Sequence, residues 1–391
     1  MAATNMKKEI VKLGCLYEVH NGLSKGRKFF GSGYPFLTFS DVFNNWFVPD
    51  KLDSLVLSTE KERDICSVKK GDVFITRTSE TMDELGMSSV ALRDYPYATY
   101  NGFTKRLRPI TDKVDPMYIG YYLRSPKFRS KFMAFSAMTT RASLSNADLL
   151  NMEIELPDKS EQKRISRILY RYDSLISNYK CQIMLAEESA IRLYKEWFIN
   201  YRFPGSDKCE YVNGVPEGWE KKMIGDLISK ISRSKQIPTS EYKPSGKIPI
   251  IDQSKKYIAG YTDDEDSLIS PSVPYIVFGD HTRVLKYIPF PFAKGADGTQ
   301  LIISNDQKRM PQSLFFASLI NVDLSNYSYA RHYKYLKAEQ VVVPTELIAQ
   351  KYANFVSKLY SEIQYEKTQI NLLIEARDRL LPKLMSGEIP V

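Results

Sequence analysis

The stretch SEQKRISRILYRYDSLISNYKCQIMLAEESAIRLYKEWFIN, residues 160–200, carries Ile165, Leu169, Tyr172, Ile176, Tyr179, Ile183, Ala186, Ala190, Leu193 and Trp197 in alternating steps of four and three. That spacing lines them up on one stripe of a helix, the seam of a coiled coil. Arg164, Arg171, Lys180, Glu187, Glu188, Arg192 and Lys195 fill the other faces with charge, so only the stripe requires a partner. Pro157 and Asp158, with Glu161 three residues on, mark the start as a carboxylate cap with an acidic first turn. Tyr201-Arg202-Phe203-Pro204-Gly205 supplies the proline and glycine that stop it. At 1.5 Å per residue the helix is a rod of about 60 Å, far longer than an ordinary globular helix.

The partner lies in the same chain. Pro157 returns as Pro344 and Gln182-Ile183 as Gln369-Ile370, with one constant separation. At that separation Ser174, Ile176, Lys180, Leu185, Glu188, Arg192 and Leu193 meet identical residues at Ser361, Ile363, Lys367, Leu372, Glu375, Arg379 and Leu380. This is an internal repeat. The second copy keeps Tyr352, Val356, Leu359, Ile363, Ile370, Leu373 and Leu380 on its seam but has Glu366 and Arg377 at two seam positions, where the seam is expected to be wet or paired.

The chain has 391 residues, 43% hydrophobic and 12% aromatic, enough for more than one core. No apolar run is long enough to span a membrane and Met1 to Glu9 lacks a signal-peptide core, so a cytoplasmic protein is expected. Cys15, Cys66, Cys181 and Cys209 are scattered and there are only three histidines, which indicates neither a zinc site nor a disulfide framework. The net charge of +9 favours a polyanionic partner.

Residues 1–156 read as a first globular domain of short strands, among them Tyr34 to Phe39 and Val73 to Thr76, with a helix starting at Asp115-Pro116. After that helix the chain turns basic at Arg124, Lys127, Arg129, Lys131 and Arg141, for which a solvated positive face is the simplest reading. Residues 205–343 form a second domain that echoes the first faintly: Asn101-Gly102 matches Asp297-Gly298, and Pro116 matches Pro311. Strands are expected at Ile248 to Ile251 and at Tyr275 to Phe278, the latter running into the polar loop Gly279-Asp280-His281-Thr282-Arg283, a setting in which recognition residues tend to sit. For His281 and His332 an ordinary surface or core-edge histidine is the simpler reading, since no nucleophile or carboxylate spacing singles them out.

Connectivity then suggests the architecture. If the rods 157–204 and 344–391 pack through their seams they must run antiparallel, with the two domains held apart in an inverted relation. Two similar basic domains so related suit two inverted half-sites on one duplex. The expected class is α+β, with joints at Pro157 and Pro204 falling between cores. The chain has no Asn-Pro-Pro-Tyr or Asp-Pro-Pro-Tyr stretch of amino-methyltransferases and no phosphate-binding G-x-x-x-x-G-K-[ST] loop, so catalysis of methyl transfer and use of ATP are not expected of it. Acidic-x-Lys tokens of the nuclease sort occur at Glu161-Gln162-Lys163 and Glu241-Tyr242-Lys243, but such tripeptides are common.

Leu156-Pro157 with Glu161 to Ile165, Trp197-Phe198 with Arg202 to Gly205, Val215-Pro216-Glu217-Gly218-Trp219, and the closing Leu381-Pro382-Lys383-Leu384-Met385-Ser386-Gly387-Glu388-Ile389 together resemble the specificity subunit of type I restriction-modification systems. Gly71 to Glu80 and Phe278 to Arg283 resemble stretches inside that family's target recognition domains. The resemblance implies a pseudo-two-fold repeat of two target recognition domains separated by paired long helices. It also implies a non-catalytic subunit that reads a bipartite site on double-stranded DNA. That subunit carries two methylation subunits, which bind S-adenosylmethionine, and restriction subunits, which use ATP and Mg; no cofactor is expected on this chain and no membrane is involved. A specificity subunit of a fused methyltransferase-nuclease system cutting around a bipartite site, and a non-catalytic coiled-coil adaptor, remain alternatives. The expected DNA contacts are Arg77, Thr78, Lys127, Arg129 and Arg141 in the first domain and Asp280, His281, Arg283, Arg331, His332 and Lys334 in the second, chosen because they cluster on loops after strands or near the helix-linked ends.

Overall fold

The computed structural model describes residues 7–77, 85–137, 145–231, 234–327 and 331–391. They fall into two compact units, Met1–Tyr179 with Thr368–Val391, and Lys180–Lys367. Each long helix is therefore shared, contributing one part to each unit.

The first long helix runs Lys159–Tyr194 and ends in a π-helical turn, Lys195–Ile199. Its start is the expected one: the Asp158 carboxylate accepts from the Ser160 and Glu161 N–H groups at 2.9 and 3.0 Å, satisfying two of the orphan donors of the first turn. Left-handed backbone at Tyr201 and Gly205 turns the chain away after it. The second long helix spans Glu346–Ser386.

In the first unit, strand Lys8–Lys12 pairs antiparallel with Glu153–Pro157, which leads directly into the first long helix. A four-stranded sheet follows, in the order Tyr17–Asn21, Thr104–Pro109, Val73–Thr76, Ser88–Val90. Helix Pro116–Arg124, capped by the Asp115 carboxylate on the Tyr118 N–H at 2.9 Å, lies over one face. There Ile75, Leu107, Tyr118 and Tyr121 form one core with Ile165 and Leu169 of the first long helix and Leu381, Leu384 and Met385 of the second. The opposite face packs Phe74 and Tyr100 against Phe36 and Val56. The strand expected at Tyr34 to Phe39 is Phe30–Leu37; Thr38 and Asp41 then form a reciprocal capping box that opens helix Phe39–Asn44. Thr38 and Phe39, expected at the end of the strand, are instead the N-cap and first residue of that helix.

The Glu161-Gln162-Lys163 token is structural. Gln162 is buried, accepts from the Asp115 N–H at 2.8 Å and donates to the Lys113 and Pro157 carbonyls at 3.1 and 2.8 Å, tying the helix start to the domain. In the other token Tyr242 is half-buried and Lys243 pairs with Asp263 at 2.8 Å. Nor is the basic run wholly a solvated face. Arg124 turns inward and donates to the Ser88, Val42, Phe43 and Asn45 carbonyls, a strut whose cost of desolvation lowers its pKa to about 10.

The second unit repeats the entry arrangement: strand Glu220–Met223 pairs antiparallel with Gln340–Val343, which leads into the second long helix. A five-stranded sheet contains Ile248–Ile251, and a three-stranded sheet runs in the order Leu285–Ile288, Tyr275–Gly279, Thr299–Ile302. Helix Gln312–Ile320, buried along nearly its whole length, joins Ile276 and Phe278 to Ala190, Tyr194 and Phe198 of the first long helix and Tyr352, Val356 and Ile363 of the second.

Within each unit the two helices run antiparallel. In the first, Asp173 pairs with Arg377 at 2.5 Å, while Ile165 and Leu169, further back on the first helix, share a core with Leu381 and Leu384, further on along the second. In the second, Glu187 lies 3.6 Å from Lys367, and further along the first helix the Ala190 carbonyl accepts from the Tyr352 hydroxyl at 3.2 Å. Ile165, Leu169, Ile176, Val356 and Ile363 are buried on the seam, and Tyr172, Ile183, Leu193, Leu359, Ile370, Leu373 and Leu380 are partly buried. Past Ala190 the contact stripe departs from the expected one: Tyr194 and Phe198, not Leu193 and Trp197, are fully buried. A straight helix drifts relative to a heptad repeat, so the stripe moves over by one residue. Of the two polar seam positions, Arg377 is buried and paired, as expected, whereas Glu366 keeps a buried oxygen with no hydrogen-bond partner among the described residues, and burial raises its pKa.

Candidate nucleic-acid interface

Both units build a corner where a central strand ends. In the first, Val73–Thr76 pairs with Thr104–Pro109 so that Ile75 faces Lys105 and Thr76 faces Thr104; the Arg77 N–H bonds to the Phe103 carbonyl at 3.0 Å, which carries the register one step on. Alternation therefore places Ile75 and Arg77 with Lys105 and Phe103 on one face. Inward, that face is the apolar core of Val73, Ile75 and Leu107; at its end it becomes Lys105, Arg77 and Phe103. Lys105 is buried with its ammonium on the Asn146 side-chain oxygen, and desolvation, then the Arg77 charge, push its pKa down. The turn Asn101-Gly102-Phe103 is tightly tied: Asn101 Oδ1 accepts from the Phe103 N–H at 2.7 Å, and the Gly102 N–H donates to the Leu23 carbonyl at 2.9 Å. A Cβ on Gly102 would stand 2.2 Å from Ser24 Oγ.

In the second unit Tyr275–Gly279 pairs with Thr299–Ile302, and the same one-step continuation appears as an Asp280 N–H bond to the Gly298 carbonyl at 2.8 Å. Asp280, His281, Asp297, Gly298, Gln300 and Arg331 line a polar hollow of about 400 Å³. Its two loops are joined by one side chain. The Gln253 amide donates to the Asp297 carbonyl at 2.8 Å and accepts from the His281 N–H at 3.1 Å, while its backbone carbonyl takes the Thr282 hydroxyl at 2.6 Å. Gln253→Ala is expected to remove about 1–3 kcal/mol of local stability, read as amide exchange faster than in the parent in segments 279–283 and 296–298 but not in the Thr299–Ile302 strand. Equal exchange in variant and parent would show that the amide is not the tie.

Of the residues expected to contact DNA, Arg77 stands at the first corner, and His281 and Arg331, both exposed, line the second. Lys334 is exposed on helix His332–Ala338. Arg283 is exposed in left-handed backbone, with a guanidinium N–H on the Leu324 carbonyl at 3.0 Å. Lys127 and Arg129 lie on helix Pro126–Ala137, Lys127 with Glu155 of the strand that leads into the first long helix at 2.5 Å and Arg129 on the Leu85 carbonyl at 2.7 Å. Asp280 and His332 are buried, contrary to the expectation that they face outward. The Asp280 carboxylate accepts from the Tyr333 N–H at 2.8 Å, and the His332 ring nitrogens lie 2.9 Å from the Asp280 and Tyr327 carbonyls, so both hold the loop and the helix together. Thr78 and Arg141 lie outside the described residues. Phe103, Lys105, Gln253, Asp297 and Gln300 also stand at the two corners and are not among the contacts expected from the sequence. The match of Asn101-Gly102 with Asp297-Gly298 was the signal: read only as a trace of duplication, it marks the turn of each corner.

A model of the type I restriction modification DNA specificity domain matches residues 5–184 and again 216–376. The chain belongs to this family. Each matched copy contains one of the two corners. The chain is 26% identical to the type I restriction enzyme MjaIX specificity subunit of Methanocaldococcus jannaschii, covering 98% of this chain and 94% of that one. To a putative type I restriction enzyme MjaX specificity subunit of the same organism it is 25% identical over 68% of this chain and 67% of the relative. The crystal structure of the type I restriction-modification S subunit from M. genitalium superposes with a TM-score of 0.60 at 14% identity, covering 98% of this chain and 97% of that one, a likeness of fold. No helix among the described residues is long and apolar enough to cross a membrane.

Proposed function

We propose that the chain is the non-catalytic specificity subunit of a type I restriction-modification enzyme, working in the cytoplasm, and that each specificity domain reads one half of a bipartite site on double-stranded DNA through its strand-end corner. The observation that carries this reading is the recurrence, in two copies of one family domain, of the same one-step strand continuation, Arg77 to Phe103 and Asp280 to Gly298. Arg77, His281, Arg331 and Gln300 offer donors for phosphates and for base edges, and Asp297 an acceptor, the mixture that sequence readout in the major groove uses. The chain would carry two methylation subunits and, with them, restriction subunits; S-adenosylmethionine, ATP and Mg would act on those partners. What supports a scaffolding part is the paired long helices, which keep Tyr170, Leu175, Met184, Leu185, Tyr365 and Leu372 exposed.

The test is to express the chain with its methylation subunits and map the methylated bases. A discontinuous motif is expected. Arg77→Ala should weaken binding about 5- to 150-fold at the preferred base or relax one position of one half, from the roughly 1–3 kcal/mol of a guanidinium on a guanine edge. A continuous motif, or one indifferent to Arg77, would overturn the reading.

A further inference from the structure

Phe103 is an aromatic residue held out into solvent by a turn built for it. It is 59% exposed, yet the turn is fixed by Asn101 Oδ1 on its N–H, by the Thr104 N–H on the Asn101 carbonyl at 3.0 Å, and by the Arg77 N–H on its own carbonyl. Among the described residues the ring pairs with no other aromatic side chain, and most of its surface faces solvent. The register settles its neighbours. With Thr76 opposite Thr104, Arg77 stands opposite Phe103, and directly paired side chains lie about 5 Å apart on the same face. Lys105 is two residues along that face. The register thus brings Phe103, Arg77 and the buried Lys105 together at one end of one face.

The second unit supplies a contrast. At the equivalent register position, opposite Asp280, it has Gly298, where an added Cβ would stand 2.6 Å from Gln253 Nε2, and the polar hollow opens there instead. The same strand end therefore carries two different chemistries.

We propose that Phe103 is a specificity-determining residue of the first domain that makes apolar contact with the methyl group of a thymine in the major groove, next to the base edge met by Arg77. The inference rests on the reading of this corner as a DNA contact. Cations at the corner draw in the polyanion, the guanidinium fork matches a major-groove edge, and the thymine methyl is the one apolar group that groove displays.

The experiment uses the full chain assembled with its methylation subunits and duplexes carrying the mapped motif, in which each thymine of the first domain's half-site is replaced singly by deoxyuridine. At one position uracil should weaken binding of the parent complex about 5-fold and leave the Phe103→Ala complex unaffected, and the second half-site should be read unchanged by both. Ile110→Ala, also at a side chain 59% exposed but just past the other end of the Thr104–Pro109 strand, should bind as the parent does. If Phe103→Ala leaves the uracil penalty in place, or no thymine in that half-site is sensitive, the proposal is overturned. Arg77→Ala separates the two levels: loss of binding with Arg77→Ala but not with Phe103→Ala removes the thymine contact alone, while indifference to both removes the corner reading.

Discussion

Asp173→Ala should lower the stability of the first unit by about 3 kcal/mol, a fall in Tm of roughly 6–12 °C for a unit of this size. Arg377 sits at a seam position, 6% exposed, where the heptad pattern asks for an apolar side chain. Its guanidinium is held by Asp173 Oδ1 at 2.5 Å and lies 4.6 Å over the Trp46 ring, and Asp173 in turn accepts from the Tyr121 hydroxyl. An arginine cannot shed its proton, so removing Asp173 leaves a cation out of water and a tyrosine hydroxyl without its acceptor. Asp378, 2.8 Å away but half-exposed, keeps part of the interaction, which sets the loss at the lower end of the range for a broken buried pair. The double substitution Asp173→Leu with Arg377→Leu should recover most of the loss, because it removes both desolvation costs and restores an apolar seam. Thermal unfolding of the parent, the single and the double variant decides the matter; a double variant no more stable than Asp173→Ala would mean the pair is not an isolated electrostatic unit.

Exchanging the first specificity domain for that of another family member should replace one half of the methylated motif completely and leave the other half as it was. The two units have separate cores, and each contains its own corner. The junction matters more than the sequence suggested. A cut at Pro157 had been expected to fall between cores, but Ile165, Leu169, Leu381 and Leu384, none more than 3% exposed, belong to the core of the first domain. Each such side chain contributes about 1.5–3 kcal/mol when buried, so a foreign domain that fails to fit two of them forfeits about 3–6 kcal/mol. A chimera of residues 1–156 should therefore melt well below one that also brings residues 157–179 and 368–391 from the donor, while both methylate the same new motif. If the shorter chimera altered both half-sites, independent reading would be wrong; if the two melted alike, the shared core would not be as described.

The sequence by itself determined the two long helices, the Asp158 cap of the first and their pairing, because a carboxylate cap is a local signal and a heptad seam repeats along one chain. It also determined the duplication, the strands Val73–Thr76, Ile248–Ile251 and Tyr275–Gly279, and through its motifs the family. What only the tertiary structure decided depends on residues far apart in the chain. Arg124 became a strut because four carbonyls from elsewhere surround it, and Asp280 and His332 became internal ties because the Tyr275–Gly279 strand ends over helix His332–Ala338. Phe103 and Gln253 carry no pattern of their own. One gains its place from a strand register and the other from two loops that converge on its amide, and neither register nor convergence is written in the spacing of a single segment.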